Sequence, residues 1–126
     1  MNYLMIFIGG GLGSICRYSI GQMVSRYSNF SFPVGTFLSN FISCIILGFL
    51  ISLFMGKSNI DQNLKILLIV GFCGGFSTFS TFTYEIFELL RSGNYQTLGL
   101  YVISSLLLCL LGFFAGYRLY KLNELV

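Results

Sequence analysis

The sequence has no histidine, no tryptophan and a single proline, and only 9% of its 126 residues are charged. The missing histidines exclude the usual zinc ligand sets and the Ser-His and Cys-His arrangements of nucleophilic catalysis. The acidic residues are Asp61, Glu85, Glu88 and Glu124, and they are too few and too scattered to predict a pair of catalytic carboxylates. We therefore predict that the protein is not an enzyme.

The scarcity of charge also excludes a water-facing surface. Soluble domains carry about 25% charged residues, whereas this chain is 56% hydrophobic and has a mean hydropathy of +0.85. Such a composition is typical of a protein whose surroundings are lipid. We predict a multi-pass protein of the cell (plasma or inner) membrane, with the lipid bilayer as a partner and no nucleic-acid partner.

Four segments are long enough to cross a bilayer, whose hydrocarbon core of about 30 Å requires roughly 20 helical residues. The first lacks a basic region before it and a small-residue cleavage site after it, so we interpret it as a span rather than a signal peptide. The fold class we predict is all-α integral membrane, with residues 1–126 forming one domain of four transmembrane helices. The segments are residues 3–24, 32–55, 64–90 and 98–119.

Small side chains recur within these segments. Glycines four residues apart let helix backbones approach closely in lipid. Each segment also holds one cysteine, and no two cysteines form a CxxC pair, so we interpret the thiols as small buried side chains without a disulfide or metal-binding role. The glycine pairs are Gly9 and Gly13, Gly71 and Gly75, and Gly112 and Gly116, and the cysteines are Cys16, Cys44, Cys73 and Cys109.

The basic residues give almost no bias in orientation. Four fall on the side of the membrane that holds the N-terminus and three fall on the other. This balance permits insertion in both orientations, and hence an antiparallel homodimer, but a weakly biased single orientation is equally compatible with it. The first side holds Lys57, Lys65, Arg118 and Lys121, and the second holds Arg17, Arg26 and Arg91.

Neutral hydrogen-bond donors mark one face of the second and fourth segments. Asn40 lies near mid-depth in the second, on the same helical face as Thr36. An amide in hydrocarbon must find partners, and its NH2 group offers two donors. Tyr101 and Ser105 share a face of the fourth segment in the same way. The faces continue through Cys44 and Gly48 in the second segment and through Cys109, Gly112 and Gly116 in the fourth.

The third segment contains GFCGGFSTFSTFTY at residues 71–84, in which three glycines are followed by five Ser or Thr residues. Glycine weakens a helix and the hydroxyls compete for its backbone hydrogen bonds, so we predict that the third helix is broken mid-membrane. Irregular backbone at that depth persists where it is buried or lines an aqueous cavity, and its freed carbonyls can bind cations. Phe79 and Phe82 share a face if the helix resumes after the break.

These features together predict a permeation path for a small anion. A strongly hydrated anion must exchange its water for donors, which amide N–H groups, hydroxyls and the positive edges of aromatic rings supply. A fixed Lys or Arg at mid-pore would bind the ion too tightly for rapid release.

Three stretches resemble the signature segments of the small fluoride channels, the CrcB/Fluc family. They are GGLGSICRY at residues 10–18, GTFLSN at 35–40 and GFCGGFSTFSTF at 71–82. The resemblance extends over the whole chain in length, number of spans and order of motifs. It implies an antiparallel, dual-topology homodimer with two pores, which exports fluoride passively and so confers resistance to it.

The resemblance also implies roles for individual pore residues. Asn40 corresponds to the pore asparagine, and Phe79 and Phe82 correspond to the paired phenylalanines whose ring edges contact fluoride. The remaining pathway residues that it implies are the hydroxyl-bearing Ser80, Thr81, Tyr101 and Ser105.

Supporting positions follow from the same resemblance. Arg17 corresponds to an arginine near the pore vestibule and Glu85 to the glutamate after the third motif. Backbone carbonyls of Gly74 and Ser77 correspond to the ligands of a structural Na⁺ at the dimer interface. The family often has Thr where Ser77 stands, and Phe76 replaces a more usual aliphatic residue.

Two other functions remain open at the level of the sequence. A small multidrug-type, proton-coupled antiporter shares the short length, the four spans and a possible dual topology, but it needs a carboxylate in the first span, which has none here. A non-transporting assembly factor would leave Asn40, Tyr101 and the hydroxyl-rich break without a role.

Overall fold

The computed structural model describes residues 1–27, 31–57 and 59–123, and the regular secondary structure in these ranges is all helical. The third segment changes character along its length, with an α-helical start at Gln62–Lys65, π-helical turns over Ile66–Cys73 and an α-helical end at Gly74–Phe76. We call this continuous stretch α3. The other helices are α1 (Asn2–Tyr27), α2 (Val34–Gly56), α4 (Phe79–Arg91) and α5 (Tyr95–Asn123).

The prediction of four spans is confirmed by helices that are long and apolar enough to cross a membrane. The first, second and last of these spans correspond to α1, α2 and α5. The third span in chain order, Gln62–Arg91, comprises α3 and α4. The π-helical turns of α3 were not predicted, because the widening of a helix leaves no clear mark on hydropathy.

The turn between α4 and α5 explains why α5 begins three residues before the predicted boundary. Gly93 has a φ of 71°, which favours glycine. The N–H of Asn94 donates to the carbonyl of Leu89 at 3.0 Å, and the N–H of Gly93 donates to that of Leu90 at 3.1 Å, so α4 ends in a Schellman motif. The Asn94 side chain then accepts from the N–H of Thr97 at 3.3 Å and caps α5.

Glycines set the two main helix contacts. The two most extensive contacts are those of α2 with α5 and of α1 with α3. At the first, a Cβ placed on Gly116 would lie 2.0 Å from the carbonyl oxygen of Ile45, and one on Gly48 would lie 2.0 Å from that of Phe113. At the second, a Cβ on Gly9 would lie 2.2 Å from the carbonyl oxygen of Leu67. The predicted role of the glycine pairs in close packing is therefore confirmed at both contacts.

We expect Gly116→Ala to destabilise the protein. The new Cβ would lie 2.0 Å from the carbonyl oxygen of Ile45, so α2 and α5 would have to separate. Overpacking of this kind costs about 1–3 kcal/mol, which exceeds the roughly 1 kcal/mol that alanine gains over glycine within a helix. Thermal unfolding in detergent, followed by circular dichroism, measures the effect.

Gly99→Ala is the matched control, because Gly99 lies in the same helix and a Cβ there meets nothing within 4 Å. Its unfolding midpoint should equal or exceed that of the parent protein. Equal midpoints for the Gly116 and Gly99 variants would contradict the role assigned to Gly116.

The cysteines differ in burial, which corrects one expectation. Cys73 is buried and Cys44 and Cys109 are partly buried, but Cys16 is exposed. Cys16 lies with Leu12 and Ser19 on a face of α1 that is exposed in the chain. The interpretation of all four as buried side chains is wrong for Cys16.

Candidate functional site

The chain leaves helical geometry at two residues between α3 and α4. Ser77 and Thr78 have ψ values of 157° and 123°, which are extended. Both the N–H and the hydroxyl of Ser77 donate to the carbonyl of Cys73, at 3.0 and 2.9 Å, and close the end of α3. Thr78 then caps α4, since its hydroxyl oxygen accepts from the N–H of Thr81 at 3.3 Å. The interruption thus falls where the hydroxyl-rich sequence begins.

Asn40 holds this extended segment from the neighbouring helix α2. Its Nδ2 donates to the carbonyl of Thr78 at 3.2 Å, and its Oδ1 accepts from the N–H of the same residue at 2.7 Å. The side-chain amide therefore replaces the backbone partner that the break removes. One of its two amide hydrogens is used in this way, and no described residue accepts the other.

Other side chains satisfy the carbonyls at the end of α3. The carbonyl of Gly75 accepts from the Ser14 hydroxyl at 3.4 Å and from Arg17 Nε at 3.2 Å. The carbonyl of Cys73 also accepts from the hydroxyl of Ser43 at 3.1 Å. A cation at a helix C-terminus is favourable, so Arg17 stabilises the helix end beside the break.

A cavity of about 460 Å³ adjoins the break and lies between α2, α4 and α5. Asn40, Phe79, Phe82 and Ser105 all line it, so the structure brings together four of the residues implicated by the sequence. The Ser105 hydroxyl is buried and has no hydrogen-bond partner among the described residues. Because an unpaired buried hydroxyl costs about 1–3 kcal/mol, its placement needs an explanation.

The two phenylalanines differ in their surroundings, although their ring centroids are 5.8 Å apart. Phe82 is 8% exposed and packs on the Tyr101 ring at 4.9 Å between centroids, whereas Phe79 is 78% exposed. Phe82 is therefore fixed by its own chain, and Phe79 projects from it. The shared cavity wall agrees with the predicted common face, but only Phe82 belongs to the core.

A second cavity, of about 290 Å³, lies on the other side of the break, against α1. Arg17 lines it, and none of its lining residues is acidic. Thr78 lines both cavities and so separates them, and Thr81 lines the second. Arg17 is the one charged residue among its described lining residues, which makes this cavity attractive to an anion.

Glu85 ties three helices together. Its Oε1 accepts from the Thr36 hydroxyl at 2.7 Å and its Oε2 accepts from the Tyr101 hydroxyl at 2.6 Å. Tyr101 is fully buried and does not line the cavity beside the break. The hydroxyl that the sequence predicted along the pathway is thus engaged with a carboxylate behind the cavity wall.

The remaining predicted residues lie at the break itself. A helical bond to the Gly74 carbonyl would come from the N–H of Thr78, which donates to Asn40 instead. A bond to the Ser77 carbonyl would come from the N–H of Thr81, which donates to the Thr78 hydroxyl. Both carbonyls are therefore released from the helical pattern. The exposed Ser80 hydroxyl lies 3.2 Å from that of Thr78.

A family model described as "CrcB-like protein, Camphor Resistance (CrcB)" matches residues 4–117. The chain belongs to this family. It is 46% identical over 125 residues to a protein of Campylobacter fetus subsp. fetus, covering 96% of this chain and 97% of the relative. It is 42% identical over 116 residues to a protein of Pyrococcus abyssi, covering 92% of this chain and 93% of the relative. It is 39% identical over 115 residues to a protein of Azobacteroides pseudotrichonymphae, covering 91% of this chain and 92% of the relative. All three relatives are named "Fluoride-specific ion channel FluC".

Membership in the CrcB family and four helices able to span a membrane make this a multi-pass membrane protein. Two of its connections were missed by the sequence analysis. Thr36 was placed on the face of Asn40, but its bond to Glu85 was not predicted. Ser43 bonds to α3 although it lies off that face by one position. Serine and threonine in apolar helices indicate that such hydrogen bonds exist. They do not identify the partners, which lie 30 or more positions away along the chain.

Proposed function

We propose that this CrcB-family protein is a passive, fluoride-selective channel that exports F⁻ across the cytoplasmic membrane and thereby confers fluoride resistance. The names of its relatives support the ion. The observation that carries the proposal is the hydroxyl of Ser105, which is buried and has no partner among the described residues, on a residue that lines the same cavity as Asn40 and Phe82.

The cavity offers the kind of donors that a small hard anion needs. The Ser105 hydroxyl and the second amide hydrogen of Asn40 can each donate to F⁻, and the edge of the Phe82 ring carries partial positive charge. These groups replace lost hydration without placing a full positive charge in the cavity, so the ion is bound weakly enough to leave. Asn40 acts here in two ways, as a donor and as the clamp that fixes Thr78.

The cavities that share walls suggest the route of the ion. Thr78 separates the cavity beside the break from the one that holds Arg17. Thr36 is common to that second cavity and a third of about 270 Å³. Small rotations of the Thr78 and Thr36 side chains would join these three cavities. We propose that Arg17 draws anions to this route and that the interruption after α3 lies at mid-membrane, where Ser80 and Thr81 provide further hydroxyls.

Two antiparallel copies would complete two such pores. Phe79 is 78% exposed in the isolated chain although it lines the cavity beside the break. A second, inverted copy packed on this surface would cover that ring and close the open side of the cavity. The near-equal distribution of basic residues between the two sides supports insertion in both orientations.

A structural Na⁺ at the centre of the dimer is part of the proposal. The released carbonyls of Gly74 and Ser77 fit a hard cation, and two copies would supply four such oxygens. The exposed position of Gly74, where a Cβ would meet nothing within 4 Å, leaves room for the second copy. Dimer assembly that is indifferent to replacing sodium with a large organic cation would argue against the ion.

Efflux from liposomes tests the function. Purified protein should release internal fluoride rapidly, as recorded by a fluoride electrode, and should release little chloride under the same conditions. A folded, dimeric preparation that releases neither ion would refute the channel. Transport driven by a proton gradient in the absence of fluoride would favour the antiporter, whose only candidate carboxylates in the described spans are Glu85 and Glu88.

We expect Ser105→Ala to change flux and stability in opposite directions. Fluoride efflux should fall roughly tenfold, the effect of losing about 1.4 kcal/mol of hydrogen bonding to the ion. Stability should stay the same or rise, because the variant removes an unpaired buried hydroxyl. Ser104→Ala is the matched control, since the neighbouring hydroxyl donates to the carbonyl of Tyr101 and does not line the cavity. Unchanged flux in the Ser105 variant would remove this residue from the pathway.

A further inference from the structure

Two cysteine side chains meet in the wall of the cavity beside the break. Cys44 on α2 lies one turn after Asn40, and Cys109 on α5 lies one turn after Ser105. Both line the cavity at the α2–α5 contact, where a Cβ on Gly112 would lie 3.2 Å from the Ile45 side chain, so the two helices bring the thiols close to each other. The sequence placed these cysteines in different spans and gave no reason to pair them. Both are free thiols in the structure.

A facing pair of thiols is a ligand set of a particular kind. Thiolate sulfur prefers soft metal ions, and two sulfurs on opposite sides suit a linear, two-coordinate ion. Among the described residues no group of three or more His, Cys, Asp or Glu side chains could hold a metal ion. The pair therefore lacks the further ligands that a tetrahedral zinc site requires.

The apolar lining of the cavity determines which ionic charge the site can accommodate. Leu106, Leu110 and Phe113 line the same cavity, so a site with net charge would be costly to form there. One divalent soft cation that binds both sulfurs displaces two thiol protons, which pass to water, and leaves a neutral dithiolate complex. A monovalent ion would leave one negative charge. Hg²⁺ satisfies the requirements of charge, softness and linear geometry.

We propose that Cys44 and Cys109 form a binding site for a soft divalent cation such as Hg²⁺, and that a bound ion closes the cavity beside the break. The bound ion would lie one helical turn from both the Asn40 amide and the Ser105 hydroxyl. Fluoride could then not reach the donors on which the proposed pathway depends. The proposed metal site depends only on the two thiols. The proposed block of fluoride conduction also depends on the function proposed above.

The test uses two complementary variants of the full-length chain. Cys16→Ser/Cys73→Ser retains the cavity pair, and Cys44→Ser/Cys109→Ser retains the other two thiols. Binding of HgCl2 to each purified protein is followed by the ultraviolet charge-transfer absorbance of mercury thiolates and by counting the thiols that remain reactive. Fluoride efflux is measured on the same samples and expressed relative to each variant without mercury.

The cavity-pair variant should bind one Hg²⁺ per chain and lose two reactive thiols in doing so. The mercury concentration that halves its efflux should be at least about 100-fold lower than for the Cys44→Ser/Cys109→Ser variant, because a second tethered ligand adds this much to binding. Single Cys44→Ser and Cys109→Ser variants should each require the higher mercury concentration for half-block.

Each alternative outcome would contradict one specific part of this proposal. Equal mercury binding and equal block in the two double variants would refute the thiol-pair site. Tight binding to the cavity pair with undiminished fluoride efflux would refute closure of the pathway. Mercury binding to the pair in a protein that conducts no fluoride would retain the site and reject the proposed channel.

Discussion

We expect Asn40→Asp to lower fluoride efflux by at least about 100-fold, because a carboxylate within about 4 Å of the ion would repel it by roughly 4 kcal/mol at an effective dielectric constant of 20. The substitution keeps the oxygen that accepts from the N–H of Thr78 but removes both amide hydrogens. The bond to the Thr78 carbonyl is therefore lost together with the donor that faces the cavity. Efflux from liposomes, measured with a fluoride electrode, is the test.

Asn59→Asp is the control for the added charge, since Asn59 lies in the exposed connection between α2 and α3. It should leave efflux near that of the parent protein. Size-exclusion chromatography should show that the Asn40 variant elutes at the same volume as the parent protein. Undiminished efflux from the Asn40→Asp protein would remove this side chain from the pathway.

We expect Phe82→Ile to lower fluoride efflux by about two- to tenfold, because it removes ring-edge contacts, which for aromatic pairs are worth about 0.5–1.5 kcal/mol, and loosens the ring packing around the site. Phe82 packs on Tyr101, which donates to Glu85. The smaller side chain thus weakens both the cavity wall and the support behind it. Some loss of stability, about 1 kcal/mol, accompanies the change because the site is buried.

Phe87→Ile is the control that separates the effect on fluoride efflux from the effect on stability. Phe87 lies in the same helix but is 55% exposed, so Phe87→Ile should alter neither efflux nor unfolding appreciably. Efflux from the Phe82 variant is compared at a temperature well below its unfolding midpoint. Parent-like efflux from folded Phe82→Ile protein would contradict the role of the ring edge.

The sequence predicts a break in the third segment from causes that are local. Gly74 and Gly75 weaken the helix and the hydroxyls of Ser77 and Thr78 offer alternative hydrogen bonds, all within five residues. The structure places the extended residues at Ser77 and Thr78. What holds them could not be predicted in the same way, since the Asn40 partner lies 38 positions away.

The partners of the partly buried Glu85 carboxylate were likewise not predictable from the sequence. Glu85 lies late in the third segment, and it accepts from Thr36, 49 positions away, and from Tyr101, 16 positions away. Periodicity identifies which face of a helix is polar. It does not specify which residue on another helix that face meets, because this depends on the crossing and relative rotation of the helices.

The sequence alone determined that this is a four-span helical membrane protein, because hydropathy, charge scarcity and glycine content act over one helix at a time. Only the tertiary structure decided which residues meet: it pairs Asn40 with Thr78 and Glu85 with Tyr101, and it places Cys44 and Cys109 in the wall of one cavity. Those pairings depend on how closely glycine-lined helices approach. Their distances are fixed by backbone contact between helices rather than by spacing along the chain.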